Sequence, residues 1–168
     1  MRSADAPEQY RHTQIGWTIL IATGLPMVLC LVLTPMFPER FHLAWVLLTV
    51  GMLVGVMLLF ATLKVIVYAD RIHVRFGVGF IRRTYALSEF LDVNIVRNRW
   101  FYGWGIRLGF KGVMYNVSGL NAVELKRVDG GVMRIGTDQP KALKSALRAA
   151  LDGYYRDYMW HSPREGSG

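Results

Sequence analysis

The chain has 168 residues, with 20 Lys/Arg against 12 Asp/Glu and a single cysteine, Cys30. That is room for one ordinary domain and a small appendage, and it excludes an intrachain disulfide, which fits a reducing compartment. Residues 1–63 are net neutral, with three basic and three acidic residues, so the whole excess of +8 falls in residues 64–168, where 17 Lys/Arg meet 9 Asp/Glu.

Taken in order, residues 1–14 read as a short N-terminal tail. Thr13 to Pro38 then carries no charged residue, and after a polar break Leu43 to Leu63 is again uncharged. Each run exceeds the roughly 20 apolar residues that span a hydrocarbon core about 30 Å thick. The first is also longer than a signal-peptide core of about 7–15 residues, and no small-x-small cleavage site follows it. Two transmembrane helices are expected, about Ile15–Phe37 and Leu43–Val67. The link near Pro38–His42 is short enough to force an antiparallel hairpin. Arg2 and Arg11 flank the first helix. Lys64, Arg71, Arg75, Arg82 and Arg83 follow the second, whereas the link holds Arg40 beside Glu39. The positive-inside rule then places both termini in the cytoplasm. Pro26 predicts a kink in helix one. Trp17 and Trp45 suit opposite interfaces. Gly51 and Gly55 form a Gly-x-x-x-Gly pair that can seat helix one or a partner's helix, or occur by chance.

Beyond Val65 the pattern alternates with period two, as half-buried strands do. A strand growing out of helix two around Val65–Tyr68 is followed by segments at Ile72–Phe76, Phe80–Tyr85, Asp92–Arg97, Gly105–Phe110, Val113–Val117, Ala122–Arg127 and Val132–Gly136. Asp129-Gly130-Gly131 predicts a tight hairpin turn. A helix follows, with Asp138 as N-cap and Pro140 in its first turn. Leu143, Leu147, Ala150, Leu151 and Tyr154 share one face of it, and Lys141, Lys144 and Arg148 another. Gly153 is one place for it to end, Tyr158 another. Residues 161–168 read as a disordered tail.

A run of short antiparallel strands closed by one amphipathic helix is the order of a pleckstrin-homology (PH) barrel. The sequence resembles the bacterial PH-domain membrane proteins over about Leu43–Leu151. The resemblance is carried by Arg75-Phe76-Gly77-Val78-Gly79-Phe80-Ile81-Arg82-Arg83 with Leu87–Phe90, and by Tyr102–Arg107 with Tyr115–Gly119. It implies a two-helix membrane hairpin, then a PH-like antiparallel barrel or sandwich over residues 68–160 with a C-terminal capping helix. It also implies a non-enzymatic role and brings no catalytic residues.

The most unusual stretch sets Arg97 and Arg99 beside Trp100, Phe101, Tyr102 and Trp104. Such a cluster suits a membrane interface or a partner, although Phe101 and Trp104 can equally plug a barrel. Arg82 and Arg83 with Lys111 and Arg134 are candidates for a basic face toward anionic lipid, at about 1 kcal/mol per cation. The bland alternative is a domain basic for compatibility with its leaflet. The four histidines have no metal-ligand spacing, and no cofactor motif or nucleophile setting occurs. Nucleic acid is not expected beside two membrane helices. The expected function is a bacterial inner-membrane accessory or scaffold protein that holds a membrane-protein partner or a second copy of itself. An anionic-lipid module, and a small transporter or enzyme subunit, are the alternatives.

Overall fold

The computed structural model describes residues 7–36, 40–99, 103–109 and 112–161. Pro38 and Glu39 of the expected link, the tail from residue 162 expected to be disordered, and the candidates Trp100, Phe101, Tyr102 and Lys111 lie outside these residues, while Arg40–His42 of that link fall in a helix.

The first element corrects the reading of a tail. Glu8–Ile15 is a strand, β1. Helix α1 spans Trp17–Leu33 and is prolonged by a 3-10 turn at Thr34–Met36. Helix α2 spans Arg40–Phe60, and strand β2 follows at Thr62–Tyr68. The second helix therefore ends well before Val67. Its apolar run continues past Ala61, but β-branched Thr62, Val65, Ile66 and Val67 favour extended backbone. At 1.5 Å per residue the 21 residues of α2 measure about 31 Å. Both helices are long and apolar enough to cross a membrane, and 6 % and 0 % of their most apolar windows are buried. A Cβ added at Gly51 or Gly55 would meet no atom within 4 Å.

One residue, Gly16, separates β1 from α1, and one, Ala61, separates α2 from β2. β1 and β2 pair antiparallel from Ile15↔Thr62 to Glu8↔Tyr68. The two apolar helices thus grow directly out of neighbouring strands. β3 (Arg71–Phe76) and β4 (Ile81–Ala86) complete a four-stranded antiparallel sheet in the order β1-β2-β3-β4.

The second sheet contains β5 (Phe90–Arg97), β6 (Gly105–Gly109), β7 (Gly112–Asn116), β8 (Asn121–Arg127) and β9 (Val132–Gly136), ordered β5-β8-β9-β7-β6. The expected all-antiparallel pattern fails at one seam, where β7 runs parallel to β9. Gly112 permits this approach: a Cβ there would stand 1.8 Å from the Val132 carbonyl oxygen. The sheets remain separate, so of the expected barrel or sandwich no closed barrel forms, and the expected α+β layout stands as two sheets and a C-terminal helix.

That helix, α3, spans Pro140–His161 and runs through Gly153. Leu143, Leu147, Ala150 and Leu151 are buried, as the periodicity predicts. Each such side chain contributes roughly 1.5–3 kcal/mol of burial if fully withdrawn from water, and alanine less. Asp138 faces His12 at 2.6 Å, while the Thr137 hydroxyl accepts the Gln139 N–H. The core joins both sheets to α3 through Phe76, Phe90, Leu125, Met133 and Ile135. Aromatic contacts run from Phe60, the last residue of α2, to Phe76 (5.9 Å), on to Tyr115 (5.7 Å), then to Tyr85 and Phe90.

Candidate functional site

The β domain has two chemically different ends, and strand direction tells them apart. β2 leaves α2 at Thr62 and reaches its far end at Tyr68. Asp70 follows, and its carbonyl accepts the Leu87 N–H. The Glu89 carbonyl in turn accepts the Val128 N–H, so the β2–β3, β4–β5 and β8–β9 connections gather at the end away from the helices.

At the near end, three segments surround the bases of α1 and α2. The β3–β4 turn backs onto α2: the Val78 N–H donates to the Leu58 carbonyl (3.1 Å) and the Gly77 N–H to that of Thr62 (2.8 Å). Gly77 has φ +50°, and a Cβ on it would lie 1.9 Å from the Leu58 oxygen. The β7–β8 connection seats against the β1–α1 joint, where Gln14 Nε2 donates to the Ser118 carbonyl (3.0 Å). The third segment, β6 and the residue before it, faces the helices across a groove of about 550 Å³ lined by Ile19, Phe60, Trp104, Ile106, Arg107 and Leu108.

This near end exposes apolar side chains that a soluble turn would not carry. Phe80 is 81 % exposed and Val78 60 %; Leu108, 87 % exposed, borders the groove but lies level with Met133 in strand register. Cations stand among them. Lys64, Arg75 and Arg82 are direct cross-strand neighbours on β2, β3 and β4. Like charges placed so are mutually destabilising. By contrast, no Asp or Glu occurs in residues 72–88 or 93–123. Several carboxylates are paired toward the far end, Asp70 with Arg71, Glu89 and Asp129 with Arg127, and Asp92 with Arg148, whereas Asp138, just past the near end of β9, pairs with His12.

The expected site residues divide accordingly. Arg82 and Arg83 are successive residues of an edge strand, so their side chains leave opposite faces of the sheet. Arg82 faces Arg75 across the strands, and Arg83 lies opposite buried Val74. Arg134 does not join them. It is on the second sheet, where its Nε donates to Glu124 at 2.7 Å. Arg97 and Arg99 are exposed on either side of buried Asn98, whose N–H donates to the Leu120 carbonyl. Trp104 lines the groove and is 40 % exposed, so it does not plug a barrel. Among the described residues, no group of three or more His, Cys, Asp or Glu gathers to hold a metal.

Sequence reasoning overlooked Lys64, Arg75, Val78, Phe80 and Leu108 as site residues. The turn itself held a signal. Val78 and Phe80 alternate with Gly77 and Gly79, and apolar side chains at a turn that water surrounds are unfavourable.

His73 and Tyr115 are among the groups with shifted acidities. Burial, and then the flanking Arg71, push the His73 imidazole pKa down. Burial pushes the Tyr115 hydroxyl up, and its 2.5 Å hydrogen bond with the Tyr85 hydroxyl adds to this.

No protein-family model, curated protein or solved structure matches the chain.

Proposed function

We propose that this chain is a non-enzymatic scaffold anchored in the cytoplasmic membrane of a bacterium. α1 and α2 cross the bilayer, both termini are cytoplasmic, and the PH-like β domain lies with its near end on the leaflet. The far end and α3 remain available to a protein partner or a second copy. One observation carries this reading: exposed apolar side chains and cations without an ion pair collect where the helices leave the domain, and most ion-paired carboxylates lie toward the opposite end. An anionic surface attracts the one set, and water solvates the other. Two nearly unburied apolar helices also need a solvent other than water. The two sheets and α3 supply the layers that the PH resemblance asks for, as an open rather than a closed arrangement.

Depth measurement tests the reading. In a Cys30→Ala background, a fluorophore is attached at Phe80→Cys or, separately, at Asp129→Cys in the far turn. In vesicles containing brominated lipid, the label at position 80 is quenched and that at 129 is not. Equal quenching at the two positions, or none at 80 in membrane-integrated protein, overturns it. Partner identity follows from what co-purifies in mild detergent, and a strictly monomeric particle argues against scaffolding.

A further inference from the structure

The outer face of the four-stranded sheet holds a second feature that anchoring alone does not require. Cross-strand pairing places Lys64 opposite Arg75, and Arg75 opposite Arg82. At about 4.8 Å per strand the three cations span roughly 10 Å in one row. Among the described residues, none forms an ion pair with any of the three. The nearest acidic influence on Lys64 is Glu8, which is itself ion-paired with Arg11. Row neighbours on the same face are Thr13 on β1 and, one pleat further from the helices, His73 and Thr84. Three like charges set side by side repel one another, and Glu8, already paired with Arg11, is a weak counter-charge to Lys64 alone.

Position identifies what offsets that repulsion. Lys64 is four residues beyond Phe60, the end of α2. That is at most about 13 Å along an extended strand. The headgroup layer on each side of the hydrocarbon is about 5–7 Å thick. Long Lys and Arg side chains reach across the remainder, with their charged ends toward the interface. Arg82 also follows exposed Phe80 by two residues, so the row and the apolar turn share one edge.

We infer that Lys64, Arg75 and Arg82 form a binding row for the phosphates of anionic phospholipid headgroups. This rests on the membrane-anchored reading above and adds a ligand and three residues to it. The row holds the sheet against the leaflet and makes the domain's stability depend on lipid charge. At the customary contribution of a surface cation, three together correspond to about a 100-fold preference for an anionic over a neutral leaflet.

The test uses the full chain in nanodiscs of pure phosphatidylcholine or of phosphatidylcholine with phosphatidylglycerol, and reads thermal unfolding of the β domain. Wild type unfolds at a higher temperature with phosphatidylglycerol present. The K64Q/R75Q/R82Q triple variant loses most of that increment. In pure phosphatidylcholine it is at least as stable as wild type, because the repulsion has been removed. An equal increment in both proteins overturns the row as the site. So does a wild-type increment reproduced by inorganic phosphate in pure phosphatidylcholine, which would make free phosphate the ligand. If the variant is destabilised in every disc, R97Q/R99Q serves as the comparison, and the inference fails when that variant loses the increment equally. Failure of the anchored reading is separate: the protein would then leave the membrane on alkaline carbonate extraction.

Discussion

His73 shows how a single side chain registers its surroundings. It projects from β3 between Arg71 and Arg75, with the Tyr68 ring at 5.0 Å and Asp70 nearby. Burial and then Arg71 lower its pKa, Asp70 opposes them by less than either, and Arg75 adds the smallest push downward. An imidazole in an unfolded chain takes up its proton near pH 6.5. In the folded domain that uptake waits for lower pH, so just below pH 6.5 the unfolded state binds more protons. Stability is then complete above that value and declines as the pH falls toward the folded pKa. Thermal unfolding followed from about pH 7 to 5 is expected to drop further for wild type than for His73→Gln. Parallel curves would remove His73 from the explanation. Phosphate bound at the cation row raises the imidazole pKa, so phosphatidylglycerol narrows the difference between the two proteins.

Among elements, the β3–β4 turn has two tasks, and Gly77 ties them together. It presents Val78 and Phe80 outward, and it also supplies a backbone N–H to the Leu58 carbonyl at the end of α2. Alanine at position 77 meets both a positive φ and the Leu58 oxygen. Gly77→Ala is expected to destabilise the domain by more than about 1 kcal/mol, and to loosen the turn from the helix. Amide exchange at Val78 measures the second effect; wild-type protection there in the variant would show that the turn does not depend on this contact. The sequence made β3, β4, β8, β9 and α3 legible because their apolar residues keep a clear period. β1 stayed hidden because its inward positions are Tyr10, His12 and Gln14, which carry no apolar alternation. The α2–β2 boundary stayed hidden because a continuous apolar run fits a helix and a buried strand equally. The parallel seam between β7 and β9 depends on long-range pairing that local pattern does not encode. The same division holds for the site: the arginines were visible as charges, but the grouping of Lys64 and Arg75 with Arg82 required the strand register.

For the molecule as a whole, one pairing governs the topology. β1 precedes α1 and β2 follows α2, yet the two are hydrogen-bonded along their length. Whatever surrounds the helices, the chain must leave the β domain and return to it. In a bilayer, this places the domain on one side and the α1–α2 connection on the other. In the proposed reading the near-end cations choose the side, since Lys and Arg beside helix ends are retained in the cytoplasm. In the Cys30→Ala background, Met36→Cys at the end of α1 and Asp129→Cys in the far turn are expected to label from opposite faces. A membrane-impermeant maleimide should reach position 36 in intact spheroplasts and position 129 only in inverted vesicles. Reaction of both in spheroplasts would reverse or abolish the proposed orientation of the domain. Reaction of both in inverted vesicles alone would mean that the helices lie on the membrane without crossing it. The sheet pairing survives any of these outcomes, so the experiment isolates the bilayer's part in the architecture from the fold's own.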